Sequence, residues 1–307
     1  MENVILSIGS LQITAFSLCI MGAAAVSVAF LRVTMRGLGQ DAWAVFAAWC
    51  LPLALLGARL FYSMARINYI VDLFGLDFVL RLWEGGYAFF GAVGGSALAG
   101  LIAAKRLRRK TAEVLNAAAP ALLLMLALGR FAEGLGGLGY GPLVENPALQ
   151  FFPFAVQNLY GEWNVAIFIA EGFTALIVLL LSLKRFKAHK ALKSLIIIAS
   201  TQIVWESMRR DMFLRWGFVR VSQVVAVLVL FALLIVLLSR RRRAGEKPSA
   251  SAVPIAIFIV LTGGCIALEF AMDKSPFPYG WAWLIMTICA ACMAALPWRL
   301  LPKAEER

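Results

Sequence analysis

Leu128-Gly129-Arg130-Phe131-Ala132-Glu133-Gly134-Leu135-Gly136-Gly137-Leu138-Gly139-Tyr140-Gly141 decides how the rest of the chain is read. An apolar helix running from about Asn116 reaches membrane depth, ends in an arginine and an acid, and then meets glycines that do not sustain a helix. Non-helical backbone survives at that depth only where protein buries it or it lines a wet cavity. An arginine there is costly unless it meets an anion or a polar pocket. One reading is a pocket for an anionic lipid headgroup, with Arg130 as phosphate clamp, because the guanidinium fork matches phosphate geometry. The other is an ordinary outer loop whose Arg130 snorkels to the interface. Position alone does not separate the two.

Working outward, the chain has 307 residues, 62% hydrophobic and 15% charged, with a mean hydropathy of +0.84. That is far too apolar for a soluble core and specifies an all-α, polytopic transmembrane helical bundle. Runs of roughly spanning length are Leu11–Leu31, Trp43–Tyr62, Gly86–Ala104, Val114–Leu128, Ala166–Leu183, Ala191–Trp205, Phe218–Leu238, Val253–Ala271 and Trp281–Leu296, about nine spans. The opening Met1-Glu2 lacks a basic stretch, so the first run is expected to remain as a helix rather than act as a cleaved signal peptide.

Charge sets the orientation. Twenty of the 29 basic residues, including Arg106, Lys184, the Arg240–Arg243 run, Lys303 and Arg307, fall in alternate connections or at the C-terminus. The positive-inside rule then places the N-terminus outside, the C-terminus in the cytoplasm and the Arg130 loop on the outer face. The net charge of +12 is explained by these flanks, so no nucleic-acid partner is expected. The other nine, Arg59, Arg66, Arg81, Arg130, Arg209, Arg210, Arg215, Arg220 and Lys274, sit at outer helix ends against the bias. All but one are arginine, which suggests phosphate binding, although Asp72, Asp77, Glu84 and Asp211 offer pairing partners.

Local signals add detail. Gly91 and Gly95 form a G-x-x-x-G that predicts a close helix crossing. Asn68–Trp83 reads as an amphipathic interfacial helix. Glu171, inside the fifth span, is either the partner of an arginine or a site residue, and Glu269 is expected at an interface. Five cysteines lie within apolar runs, and Cys289-Ala290-Ala291-Cys292 is expected to pack rather than to bind metal; no metal, disulfide or cofactor is implied. The basic segment 240–252 divides a seven-helix body, 1–239, from a two-helix appendage, 253–307.

At Gly129-Arg130 the sequence begins to resemble the prolipoprotein diacylglyceryl transferases, whose signature reads roughly G-R-x-G-N-F-x-N-x-E-x-x-G. Gly129, Arg130 and Gly141 match it, while Glu133, Gly136 and Leu138 stand at its two asparagines and its acid. Val4-Ile5-Leu6-Ser7-Ile8-Gly9 is similar to the family's opening segment and Gly57-Ala58-Arg59-Leu60 to the end of its second helix. Trp83-Glu84-Gly85-Gly86-Tyr87-Ala88-Phe89-Phe90-Gly91 resembles its W-x-G-G-x-x-F-H-G box. Glu206-Ser207-Met208-Arg209 with Asp211, then Val219-Arg220-Val221-Ser222-Gln223, resemble its E-x-x-R-x-D and L-R-V-A-Q.

The resemblance covers about residues 1–240 and leaves the last two helices without a counterpart. It implies a multi-pass protein of the bacterial cytoplasmic membrane that moves the diacylglyceryl group of phosphatidylglycerol onto the lipobox cysteine of a prolipoprotein signal peptide, releasing glycerol phosphate. It implies Arg130, Glu206 and Arg209 as catalytic residues, and adjacency to Arg130 on the loop adds Glu133 to them. Arg59, Gly129, Gly141, Glu171, Arg220 and Gln223 would hold substrate. Departures stand beside it: Phe90 replaces the box histidine, Phe16 a tyrosine and Gln202 an arginine, Glu171 is all that remains of H-P-x-x-L-Y-E, and the one histidine, His189, falls on the cytoplasmic side. Glu133 is the candidate substitute base, unless it merely pairs with Arg130. The competing reading is a catalytically impaired paralogue, a scaffold that binds phospholipid or lipoprotein precursors. A transporter is disfavoured because no internal repeat is visible.

Overall fold

A computed structural model describes residues 4–8, 11–73, 75–82, 85–158, 160–211, 213–245 and 249–302. Met1, Glu2, Gly9, Trp83, Glu84, Lys303 and Arg307, named above, lie outside these. The chain forms two compact units, Met1–Arg185 and Phe186–Arg307.

The first unit opens with an antiparallel hairpin, β1 (Val4–Ile8) and β2 (Leu11–Thr14), which leads into α1 (Ala15–Thr34). The first helix therefore starts four residues later than the apolar run. Thr14 Oγ1 accepts from the Ser17 N–H at 3.2 Å and Ser17 Oγ accepts from the Thr14 N–H at 2.9 Å, a capping box that stops the helix from extending backwards. Then come α2 (Ala42–Ala65), α3 (Ile67–Leu73), α4 (Phe89–Leu107) and α5 (Thr111–Ala132). After α5 come three short strands, β3 (Tyr140–Leu143), β4 (Ala155–Gln157) and β5 (Trp163–Ala166), and then α6 (Ile167–Lys184). The strands pair antiparallel in the order β3-β5-β4, with Tyr140 opposite Ala166 and Ala155 opposite Val165.

The α2–α4 crossing is as close as the glycine spacing predicts. A Cβ on Gly91 would collide with the Gly57 carbonyl, and one on Gly95 with the Leu53 carbonyl, so α4 lays bare backbone against α2. Further along, Met35, Phe46, Ala99, Ala103, Val114 and Ala118 form a buried core shared by α1, α2, α4 and α5. In a lipid setting such a core holds by dispersion packing rather than by transfer out of water.

The amphipathic helix expected over Asn68–Trp83 is not continuous. It stops at Leu73, Gly75 takes φ +80°, and Leu76–Leu80 follow as a single 3₁₀ turn closed by an Arg81–Asp77 pair at 2.5 Å. Glycine adopts that backbone at no steric penalty, and the chain turns there.

The second unit comprises α7 (Lys190–Met208), a two-residue hairpin of β6 (Arg215–Trp216) and β7 (Val219–Arg220), then α8 (Val221–Arg243), α9 (Ser249–Lys274) and α10 (Tyr279–Leu300). α8 runs through the tetra-arginine segment, whose positive charge suits the helix C-terminus. Arg242 donates to Ser251 Oγ at 3.0 Å and Arg241 to the Arg299 carbonyl at 3.3 Å.

All nine apolar runs thus appear as helices of 18 or more residues, and seven of these are apolar enough to cross a membrane. α4 and α7 fall short for a common reason. α4 buries Gly91, Gly95, Ser96 and Gly100, and α7 buries Ser194, Ser200, Gln202 and Glu206. Small and polar residues are tolerated where a helix faces protein rather than lipid.

Candidate functional site

Two buried ion clusters stand out, one in each unit. In the first, Arg130 occupies the last turn of α5, and Glu133 opens the 3₁₀ turn Glu133–Gly136 that follows, so the glycine-rich stretch coils once more before it breaks. Arg130 Nη1 lies 2.5 Å from Glu133 Oε1 and 3.3 Å from Glu171 Oε2, and the guanidinium sits over the Phe89 ring, 5.4 Å from its centroid. β5 runs straight into α6, which places Glu171 one turn inside the helix and facing Arg130. One cation therefore meets two carboxylates.

The loop is held from several sides. Gly137 and Gly139 take φ +70° and +77°, and a Cβ on Gly139 would strike Phe168 and approach Glu133. Tyr140 donates its hydroxyl proton to the Gly134 carbonyl at 3.2 Å, and burial pushes its pKa up, which keeps that donor protonated. Asn164 Nδ2 donates to the Gly141 carbonyl at 3.1 Å, and Gly141 has no room for a side chain against Val165 and Ile167. Gly129 differs: it lies within α5, and a Cβ there would meet Ile20 at an ordinary 3.7 Å.

Arg59, on α2, is 1% exposed and stands apart from the Arg130 carboxylates. Its guanidinium donates to the Phe78 carbonyl at 2.5 Å, to Val79 at 3.3 Å and to the Gly85 carbonyl, and it stacks on the Phe78 ring at 4.6 Å. Among the described residues no carboxylate pairs with it. Arg59 therefore ties the segment before α4 to α2, while Phe89, at the start of α4, faces Arg130.

In the second unit Asp211 bridges two arginines, with Oδ2 at 2.9 Å from Arg209 Nε and Oδ1 at 2.9 Å from Arg220 Nη1. Glu206 closes the set at 3.7 Å from Arg220 and 4.0 Å from Arg209. Arg220 also donates to the carbonyls of Arg209, at 2.9 Å, and Phe213, at 3.2 Å. Gln202, at the position of a family arginine, donates to Glu206 Oε1 at 3.1 Å. Gln223 accepts from the Arg220 N–H at 3.1 Å.

The remaining arginines of the set that runs against the charge bias find local partners. Arg66 lies over Tyr62 and Tyr69, Arg210 over Tyr279, and Arg215 pairs with Asp273 at 3.5 Å. Asp211 belongs to its cluster as fully as either arginine, as its place in E-x-x-R-x-D and its proximity to the outer arginines in sequence both signalled. Glu269, expected merely at an interface, accepts from Gln223 Nε2 at 2.6 Å. A profile described as prolipoprotein diacylglyceryl transferase matches residues 3–239.

The chain belongs to the prolipoprotein diacylglyceryl transferase family.

Among its relatives are proteins named phosphatidylglycerol–prolipoprotein diacylglyceryl transferase from Streptococcus pyogenes serotypes M3 and M1. Each is 29% identical over 252 residues, covering 78% of this chain and 95% of the relative. Against the family pattern, Phe90 is buried and packs edge-on to Phe89 at 4.9 Å, so an aromatic pair stands where the family places its histidine. Phe16 faces Gly136 of the loop. His189 precedes α7 at φ +54°, about 25 Å along the helix from Glu206 at 1.5 Å per residue.

Proposed function

We propose that the protein transfers the diacylglyceryl group of phosphatidylglycerol to the lipobox cysteine of a prolipoprotein signal peptide. The observation that carries this is the family match over residues 3–239, together with two intact buried arginine–carboxylate clusters on the family's own motifs. In the reaction the cysteine thiolate attacks the glyceryl carbon, a C–S bond forms, and the C–O bond to phosphate breaks with its electron pair leaving on the phosphate oxygen. Arg130 stabilises the developing charge of that leaving group, and Arg209 and Arg220 are assigned to the headgroup through the family motifs they match. Glu133 accepts the thiol proton, since the thiolate is the nucleophile. Glu171 keeps Arg130 oriented while Glu133 changes state, and Glu206 does the same for Arg209 and Arg220. Arg59, Gly129 and Gly141 shape the substrate-holding segments. The site works in the cytoplasmic membrane with the N-terminus outside and the C-terminus inside, as the basic flanks support. Residues 1–239 form the transferase body, 240–252 the connection and 253–307 the appendage.

A second reading is supported by a specific observation: Phe90 and Phe16 remove two polar groups from the family's cavity, which suits a lipid-binding scaffold without chemistry. Purified protein incubated with phosphatidylglycerol and a lipobox peptide decides between them. A diacylglyceryl mass gain on the peptide with matching glycerol phosphate release is expected. Phospholipid retention with no mass gain, beside a working family enzyme, selects the scaffold.

A further inference from the structure

The match to the family ends at residue 239, yet the two helices beyond it do not stand aside from the family's motifs. Four contacts join them to the segment between Arg209 and Gln223. Gln223 meets Glu269 at 2.6 Å, Arg215 meets Asp273 at 3.5 Å, Arg210 lies 4.8 Å from the Tyr279 ring, and the Phe218 and Phe270 rings pack edge-on at 5.6 Å. This is the segment that carries Asp211, the β6–β7 hairpin and Arg220.

Among these, the Glu269 contact reaches furthest inward. Gln223 is 5% exposed and its amide is fully used. The oxygen accepts from the Arg220 backbone N–H at 3.1 Å, and the nitrogen donates to the Ile203 carbonyl at 3.0 Å and to Glu269 Oε1. Only one orientation of the amide satisfies all three, because a flip would set its NH₂ against the Arg220 N–H. Glu269 and Gln223 also share the wall of an apolar cavity of about 190 Å³, lined by Ile203, Val224, Leu228, Ile266 and Met286. In such surroundings an amide proton without an acceptor is heavily penalised, so Glu269 supplies one of the three contacts that hold the amide in that orientation, and the one that comes from outside the family-matched residues.

We propose that Glu269, on a helix beyond the family-matched residues, is a positioning residue that holds Gln223 and, through it, the backbone of Arg220 in place for the substrate phosphate. The proposal rests on the transferase reading for what Arg220 does, but its structural content is separate. The acceptor oxygen is the feature that matters, so Glu269→Gln, which keeps an oxygen there, preserves the arrangement, and Glu269→Ala abolishes it.

Full-length protein in nanodiscs supplies the test. In Glu269→Ala, hydrogen exchange of the Phe213–Gln223 amides is expected to rise about 10-fold. KM for phosphatidylglycerol is expected to rise about 10-fold with kcat within about 3-fold of wild type, because headgroup binding is what loosens. Glu269→Gln should stay within about 3-fold in both, and in a Gln223→Ala background Glu269→Ala should add nothing further. Unchanged exchange in Glu269→Ala overturns the proposal. So does failure of Glu269→Gln to rescue, or an undiminished effect without Gln223. A wild-type protein that transfers nothing, while Glu269→Ala still loosens the hairpin, overturns the transferase reading and leaves the position of Glu269 standing. Affinity for phosphatidylglycerol then replaces KM and is expected to weaken by the same factor.

Discussion

The Arg130 cluster of the first unit and the Arg209–Arg220 cluster of the second use the same side chains in different proportions. Around Asp211 two guanidiniums face two carboxylates, with one carboxylate shared bidentately between the arginines. Around Arg130 one guanidinium faces two carboxylates, and Glu133 is the one with more access to solvent, its side chain 17% exposed against 2% for Glu171. Removing a charge from a low-dielectric place leaves its partner less compensated. Asp211 keeps one arginine when the other is removed, whereas Glu133 and Glu171 share Arg130. The comparison gives redundancy to the second cluster and makes Arg130 the hub of the first.

The strongest way to break that contrast is to delete one cation from each. Arg130→Met takes the guanidinium from both Glu133 and Glu171, the latter 2% exposed, and is expected to destabilise the protein by about 3–5 kcal/mol, read by denaturant unfolding in detergent. Arg220→Met leaves Arg209 against Asp211 and should destabilise by roughly half of that. Equal losses would erase the distinction.

Glu133→Gln sharpens it from the other side. Unfolding free energy should hold within about 1 kcal/mol, because Arg130 keeps Glu171 at 3.3 Å. Peptide modification should fall about 10²-fold, the usual contribution of a positioned general base. Undiminished transfer would show that Glu133 only pairs with Arg130.

Gly95→Ala sets the scale of a purely steric change in the first unit. The added methyl meets the Leu53 carbonyl, and a loss of about 1–3 kcal/mol is expected from overpacking. A larger loss than that of Arg130→Met would mean that packing, not charge, dominates this unit.

The smallest effect belongs to Asp77, whose hydrogen bond from Arg81 holds its carboxyl below the ordinary carboxylate range. A depressed folded-state pKa adds stability that is fully present above the unfolded value of about 3.9 and disappears as pH falls through the folded one. Amide exchange over Leu76–Leu80 should therefore begin to rise only below about pH 4, and Asp77→Asn should remove that dependence.

Much of this architecture was legible in the sequence because lipid makes severe demands. Nine long apolar runs became nine long helices, the glycine spacing foretold the α2–α4 crossing, and an acid inside the fifth span met the arginine it needed. The three-stranded sheet was not legible: its strands are three or four residues long, too short for alternation to register against the surrounding turns. Helix starts shifted where a strand or a side-chain cap intervened, as at Thr14. In the site, Arg130 and Glu133 could be grouped from adjacency and Glu206 and Arg209 from the family motif, while Glu171 could be expected to meet an arginine without showing which one. The carbonyl cradle of Arg59 and the link from Glu269 to Gln223 could not, since each joins residues 19 to 46 positions apart through backbone oxygens or a single amide.

The glycine crossing of α2 and α4 carries a mechanical consequence. Arg59 lies two residues past Gly57, and Phe89 two residues before Gly91, so the crossing is a fulcrum with a cationic anchor on one arm and the aromatic face against Arg130 on the other. Bare backbone resting on bare backbone leaves no flexible side chain to absorb a displacement. Bulk added at position 91 or 95 would push α4 off α2, and Phe89, at the start of α4, is the face through which Arg130 would meet that displacement.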